Sequence, residues 1–326
     1  MTKKNIALLA GGNSGEAEIS YKSASIIEKN IDDTLYNTYK INLFQKDWHY
    51  QDKEGNKHQI DKNDFSLTLN GEKINFDCVF IAIHGTPGED GMLQGYFEML
   101  GIPYTTCDHT TSALTFNKSY CNKIVDACGI NTSNSVHLFS HLPYTIENIL
   151  NEISLPCFVK PNNGGSSIGM SKVNKAEELQ TAIDKAFKED NQVLIEEFIK
   201  GKELSCGMIK TKNGLIVFPI TQIISENEYF DYEAKYLGKS KEVTPAEVSE
   251  EITNKVKSTA AYLYNKLNCK GIVRFDFIYE EETEELYFLE VNTVPGQSAE
   301  SIVPQQARAM GMTIKELYTL LLDASM

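Results

Sequence analysis

The chain has 326 residues, 31 basic and 45 acidic, for a net charge of −14. That balance argues against a nucleic-acid backbone or an anionic membrane as the main partner, and leaves room for an anionic substrate in a locally basic site. Hydrophobic residues make up 41% of the chain, which argues against wholesale disorder and for two or three domains with a sizeable core, and no apolar run approaches the roughly 20 residues that a spanning helix needs.

The first apolar run, Ile6-Ala-Leu-Leu-Ala10, ends in Gly11-Gly12 and suits a strand buried on both faces of a parallel sheet. It lacks the features of a signal peptide. Residues 18–30 read as the following helix, 36–44 as a second strand and 77–83 as a stronger one that ends at His84-Gly85. Residues 92–100 have helical spacing and stop at Gly101. This order predicts an open, Rossmann-like α/β domain over residues 1–104. A middle section, 105–195, holds a helix at 118–128, a strand at 156–160 and a helix behind the capping box Asn174-x-x-Glu177, striped with Leu179, Ala182, Ile183, Ala186 and Phe187. The last section, 196–326, opens within a strand at 193–198 and continues with strands at 204–209 and 215–224. A polar, tyrosine-rich loop spans 225–243. Thr244-Pro245-Ala246-Glu247 predicts a helix start, continued by Val256, Ala260, Leu263 and Leu267. Strands at 271–279 and 286–292 flank an acidic run, and short helices near 304–310 and 313–323 close the chain. Seven cysteines without a Cys-x-x-Cys pair read as buried, reduced thiols of a cytosolic protein.

Four segments carry candidate chemistry. A hairpin centred on Thr283 sets Asp276 opposite Glu290 and Arg274 opposite Asn292. Period-two alternation puts these four on one face and Phe275, Phe277, Leu289 and Val291 on the other. Two carboxylates and an amide oxygen suit Mg²⁺ with waters and phosphate ligands; the plainer alternative is a solvated face with an Arg–Asp pair. Lys160-Pro-Asn-Asn-Gly-Gly165-Ser-Ser-Ile-Gly169 offers backbone N–H groups, hydroxyls and a cation to phosphate oxygens, without the spacing of a Walker A loop. Gly11-Gly-Asn-Ser-Gly15-Glu16 and His84-Gly-Thr-Pro-Gly88-Glu89-Asp90-Gly91 both follow strands and should border one crevice; a lone His84 is more often structural than reactive. The strand around Glu196 and Phe198 offers backbone groups to a flat base and a carboxylate to ribose, or is an ordinary edge strand.

Together, and in this order, these motifs resemble the D-alanine–D-alanine ligases of the ATP-grasp superfamily. Asp231-Tyr-Glu-Ala-Lys-Tyr236 and Leu289-Glu-Val-Asn-Thr-Val-Pro-Gly296 extend the likeness across the chain. The resemblance implies an α/β and α+β ATP-grasp fold and a reaction in which ATP phosphorylates one D-alanine and the amine of a second attacks the acyl phosphate. It implies ATP and two Mg²⁺ (or Mn²⁺), held by Asp276, Glu290 and Asn292. Arg274 and the Gly296 N–H would stabilise the oxyanion. Lys118, Lys160 and Lys235 would hold phosphates, Glu203 would bind ribose, and Glu197, Phe198 and Ile199 would border adenine. Glu16 would take the first ammonium, with His84 nearby, and Ser301 the second carboxylate. Glu16, Ser166 and Tyr236 match a hydrogen-bonded triad, and the 225–243 loop a lid. Tyr236 would favour D-alanine over D-lactate as second substrate; D-alanyl-D-lactate or D-alanyl-D-serine formation is the alternative within the fold. A silent nucleotide-binding protein and an NAD-linked oxidoreductase are more distant alternatives. A cytoplasmic homodimer that binds neither nucleic acid nor membrane completes the expectation. Thr86-Pro87, Asn162-Asn163, Val294 and the 297–300 stretch depart from commoner versions, and the first leaves the role of Glu89 open.

Overall fold

The computed structural model describes residues 2–225 and 240–326. Its first sheet holds β1 (Lys4–Gly11), β2 (Tyr36–Phe44), β3 (Asp47–Gln51), β4 (Lys57–Asp61), β5 (Ser66–Leu69), β6 (Glu72–Ile74) and β7 (Cys78–Ile81), in the order β6-β5-β4-β3-β2-β1-β7. β1 runs parallel to β2 and β7, and Ile6 to Ala10 are wholly buried, as the continuous apolar run predicts. Helix α1 (Ala17–Asn30) follows β1 and turns Ser20, Ser23, Ala24 and Ile27 inward. The antiparallel meander β3–β6 is a finding that the sequence reading lacked. Its strands are short and mostly exposed, with few inward residues such as Ile60 and Leu67, so their periodicity is faint.

Helices α2 (Met92–Leu100), α3 (His109–Phe116) and α4 (Lys118–Ala127) lead to β8 (Asn131–Thr132). Asp108 caps α3 by accepting from the Thr111 N–H, and Asn117 caps α4 by accepting from the Tyr120 N–H. A second, antiparallel sheet has the order β11-β10-β12-β9, from β9 (Ser135–Phe139), β10 (Cys157–Pro161), β11 (Ser171–Val173) and β12 (Gln192–Glu197). Helices α5 (Ile146–Glu152) and α6 (Leu179–Ala186) cover one face, where Ile149, Leu179 and Ile183 meet Val159, Val193 and Ile195. The expected capping box sits one residue later. Glu178, not Glu177, reaches back to the N–H groups of Asn174 (2.9 Å) and Lys175 (3.2 Å).

The third sheet runs β16-β15-β13-β17-β18-β8, with β14 also on β13. Its members are β13 (Lys202–Thr211), β14 (Gly214–Val217), β15 (Thr221–Ser225), β16 (Ser240–Val243), β17 (Ile272–Glu280) and β18 (Glu285–Asn292). The single strand expected at 215–224 is two strands, because Phe218 and Ile220 turn into the interior between them. The helix expected from Thr244 begins only at Glu250, as α7 (Glu250–Lys266), where Ser249 accepts from the Ile252 N–H at 3.3 Å. The Thr244 hydroxyl instead pairs with that of Thr221 at 2.6 Å. Beyond the hairpin lie α8 (Ile302–Ala309) and α9 (Ile314–Ser325). Helix α9 packs Leu317, Tyr318, Leu321 and Leu322 among Ile6, Leu8, Ile27 and Phe80, so the last helix completes the core of the first sheet. All seven cysteines are free thiols, and all but the half-buried Cys128 are buried.

The β17–β18 hairpin pairs Asp276 with Glu290 and Arg274 with Asn292, as the spacing predicts. Past Asp276 the register slips by one, and Phe277 pairs with Phe288. This bulge corrects two expectations. The turn is not centred on Thr283 alone, and Leu289 is not on the buried face: Phe288 enters the core, and Leu289 faces a cleft.

Candidate functional site

A cleft of about 920 Å³ opens between the second and third sheets and reaches the ends of β1 and β7. At one end Phe158, Met170, Phe198, Ile199 and Leu289 make apolar walls beside Glu203. The Phe158 and Phe198 rings meet edge to face at 5.8 Å, and Lys172 Nζ lies 4.4 Å from the Phe198 ring centroid. Glu197 lines this end too, but its carboxylate accepts from the Ser154 N–H (2.7 Å) and Asn134 Nδ2 (2.9 Å), so its main chain is what remains for a ligand. The neighbouring Glu196, which sequence reasoning did not single out as a site residue, is buried, forms an ion pair with Lys160 and accepts from Asn122 Nδ2 at 2.6 Å. The signal was strand alternation: Val193 and Ile195 face the helices, so Leu194 and Glu196 face away from them.

Lys118 and Lys160 project into the middle of the cleft. Lys118 donates to the Gly164 carbonyl, and burial pulls its pKa down, against the opposing charge of Glu290. The fully buried Asn162 fixes the start of α4 to the end of β10. Its carbonyl accepts from the Lys118 N–H (3.1 Å), its Oδ1 from the Ser119 N–H (2.9 Å), and its Nδ2 donates to Gln192 Oε1 (3.2 Å). Asn162 thus ties the start of α4, which carries Lys118, to the end of β10, which carries Lys160.

Toward the first sheet, Glu16 is 6% exposed and accepts from Ser166 Oγ at 2.5 Å. Its carboxylate is wedged between two glycines: a Cβ on Gly165 would lie 2.8 Å from Oε1, and one on Gly85 3.0 Å from Oε2. Ser166 and Ser167 adopt the left-handed conformation, with φ of 54° and 57°, which turns this segment over Glu16. Glu89 closes the adjoining loop by accepting from the Gly85 N–H at 2.9 Å; burial and then the charge of Glu16 raise its pKa. His84 is buried, its Nε2 is 3.1 Å from Ser23 Oγ, and burial lowers its pKa to about 4.

On the hairpin, Glu290 lines the cleft, and Asp276, 3% exposed, lies behind it. Asp276 accepts from Ser205 Oγ (2.5 Å), Asn292 Nδ2 (3.0 Å) and a two-pronged Arg274 (2.8 and 2.9 Å). Asn292 Nδ2 also lies 3.4 Å from Glu290 Oε1. Burial pulls the Arg274 pKa down, but Asp276, Glu290 and Glu242 more than offset it and the net shift is upward. Gly296 follows, where a Cβ would lie 2.8 Å from Ser301 Oγ. Ser301 caps α8 in position, but its hydroxyl turns to the Ser298 hydroxyl (2.7 Å) and N–H (3.0 Å). The structure therefore brings together Glu16 with Ser166, Lys118 with Lys160, and Arg274 with Asp276, Glu290 and Asn292. Lys235 and Tyr236 lie outside the described residues.

Two family models match the chain, D-ala D-ala ligase N-terminus over residues 5–107 and D-ala D-ala ligase C-terminus over residues 124–323. The chain belongs to the D-alanine–D-alanine ligase family. It is 48% identical to the D-alanine–D-alanine ligase of Flavobacterium johnsoniae and 46% identical to that of Phocaeicola vulgatus, over 98–99% of this chain and 99% of each relative. Among solved structures it is similar to the VanG D-Ala:D-Ser ligase of Enterococcus faecalis (TM-score 0.87, 32% identity, all of both chains). It also matches a Bacillus anthracis D-alanine–D-alanine ligase complexed with ATP (TM-score 0.80, 27% identity, 99% of this chain and 97% of that one). As in this ligase family, the fold is an ATP-grasp, with the cleft between the second and third sheets.

Proposed function

We propose that this chain joins two D-alanines into D-alanyl-D-alanine, with ATP converted to ADP and phosphate, for peptidoglycan precursor synthesis. The observation that carries the reading is the single-face cluster of Arg274, Asp276, Glu290 and Asn292 at the rim of a cleft whose middle holds Lys118 and Lys160. D-alanine–D-alanine ligases at 46–48% identity, against 32% for the D-Ala:D-Ser enzyme, favour D-alanyl-D-alanine over D-alanyl-D-serine as the product.

A carboxylate is a poor electrophile, because its leaving group would be an oxide. Phosphorylation changes that: a carboxylate oxygen of the first D-alanine attacks the γ-phosphorus, and the bond to the β,γ-bridging oxygen breaks with its electron pair going to ADP. The second D-alanine, having lost a proton from its ammonium, attacks the acyl carbon; phosphate leaves with the C–O electron pair and takes up the second proton that the nitrogen gives up as it becomes an amide. Glu16 holds the first ammonium, and Ser166 fixes its carboxylate. Lys118 and Lys160 hold phosphate oxygens. Glu203 takes the ribose, and the main chain around Glu197, Phe198 and Ile199 borders adenine. Arg274 and the Gly296 N–H oppose the charge on the acyl oxygen. Ser301 receives the second carboxylate, and His84, held neutral, shapes the first pocket. By the resemblance alone we assign Tyr236 to the triad with Glu16 and Ser166, and Lys235 to the γ-phosphate.

Asp276, Glu290 and the Asn292 amide fit a divalent cation. The amide already points at both carboxylates, and a half-turn about its terminal bond presents oxygen instead of nitrogen to the same point. Bound there, Mg²⁺ or Mn²⁺ would offset charge on the transferred phosphoryl group. We assign the units 1–104, 105–195 and 196–326 to the first amino acid, to nucleotide enclosure and to the cation with the second amino acid. A cytoplasmic homodimer suits the free thiols.

The test is to incubate the pure protein with ATP, Mg²⁺ and D-alanine and to measure phosphate and dipeptide together. Equimolar formation of both is expected. Phosphate release indifferent to D-alanine defeats the reading. With D-lactate present at neutral pH, dipeptide should still dominate.

A further inference from the structure

We propose that Ser23 is a positioning residue for the ligation step: its hydroxyl fixes the loop that carries the Gly296 N–H. The proposal rests on the ligase reading, and in particular on Gly296 as an oxyanion donor. Ser23 lies on α1, is 1% exposed and does not line the cleft. Its Oγ accepts from the Gln297 N–H at 3.3 Å and lies 3.1 Å from His84 Nε2. In either tautomer of the His84 ring, Ser23 Oγ pairs with Nε2, as donor or as acceptor, and a lone pair of the same oxygen receives the Gln297 N–H.

The consequence is geometric. The loop is tied just past Gly296, where Ser23 holds Gln297, and Ser23 in turn is paired with His84. The tie comes from the helix of the first sheet, across 274 residues of sequence. His84 is itself held, because its N–H donates to Ser20 Oγ at 2.9 Å and its carbonyl accepts from Ser14 Oγ at 3.1 Å. On the far side, the 2.8 Å gap between a Gly296 Cβ and Ser301 Oγ leaves little room for the loop to relax. Without the Ser23 hydroxyl, the Gln297 N–H loses its acceptor and His84 Nε2 loses its partner. A loop displaced by about 1 Å takes an oxyanion donor out of reach, which is worth up to about 100-fold in rate.

The experiment compares wild type, Ser23→Ala and Ser23→Thr by two readouts. One is dipeptide formation. The other is D-alanine-dependent scrambling of oxygen-18 from the β,γ-bridge of ATP, which reports reversible acyl-phosphate formation before ligation. Ser23→Ala is expected to lose about 10- to 100-fold in dipeptide formation, to keep its KM for ATP within about twofold, and to scramble more per dipeptide made. Ser23→Thr, which keeps the hydroxyl, should recover most of the loss. Ser23→Ala with His84→Gln should be no worse than the poorer single variant, because both cut one relay. Dipeptide formation within twofold of wild type overturns the proposal, as does a fall of scrambling and synthesis in step. If Ser23→Ala does not fold, Ser23→Cys, similar in size but weakly hydrogen-bonding, carries the same comparison. Absence of D-alanine-dependent phosphate release from the wild type would instead remove the ligase reading, and this proposal with it.

Discussion

Asp276 and Glu290 face each other across the hairpin, yet their surroundings differ. Asp276 is buried under Arg274, Ser205 and Asn292, whereas Glu290 stands at the cleft. Charge added at the hairpin should therefore be felt first at Glu290. Glu290→Gln is expected to lower turnover by several kcal/mol of transition-state stabilisation, about 100-fold or more, with its unfolding midpoint little changed. Mn²⁺ binding followed by electron paramagnetic resonance should weaken in parallel; unchanged binding would contradict the assignment. His84 makes a different prediction. The unfolded chain protonates this imidazole near its ordinary value of 6.5, while the folded protein keeps it neutral down to about 4. Its folded pKa is depressed, so protons bind preferentially to the unfolded state and stability falls as pH drops from about 6.5 toward 4. The loss is up to about 3 kcal/mol. Urea unfolding at several pH values should show this slope in the wild type and a shallower one in His84→Gln.

The bulge in the β17–β18 hairpin separates two adjacent residues by role. Phe288 is buried among Phe275, Phe277 and Leu286, while Leu289 meets the cleft. Phe288→Ala should cost about 3–5 kcal/mol of stability, and Leu289→Ala much less, but with a raised KM for ATP. Thermal unfolding and nucleotide titration of the two variants check the pair; an equal stability loss would restore the unbroken register. This hairpin also shows where sequence reasoning stops. The Asp276–Glu290 and Arg274–Asn292 pairs were legible, because both strands alternate cleanly. The slip was not, because one extra residue changes no composition and is decided by how Phe288 packs. Strands with strong apolar runs, such as β1 and β12, were legible as well. The meander β3–β6 was not, since its strands draw their stability from neighbouring strands, leaving only a weak pattern in their own residues. Glu196 and Asn162 escaped as site residues because their importance lies in partners distant in sequence, Lys160 and Asn122 for one, Ser119 and Gln192 for the other.

At the scale of the whole molecule, the cleft draws its walls from all three sheets: Glu16 and Gly85 from the first, Lys160 and Phe198 from the second, Glu290 from the third. A nucleotide spanning these walls should stabilise the folded chain as a unit. At about 100 times its dissociation constant, ATP with Mg²⁺ is expected to add about 2.7 kcal/mol, seen as a single unfolding transition moved to higher denaturant. Two separate transitions, one unmoved, would place nucleotide on a single unit. The docking of α9 on the first sheet has a further consequence. During synthesis the leading hundred residues emerge early, but Ile6, Leu8 and Phe80 have only α1 to cover them until α9 clears the ribosome. That layer is thus closed only after the two later sheets have been made, and the nascent chain must shelter the remaining greasy surface, alone or with a chaperone, in the meantime.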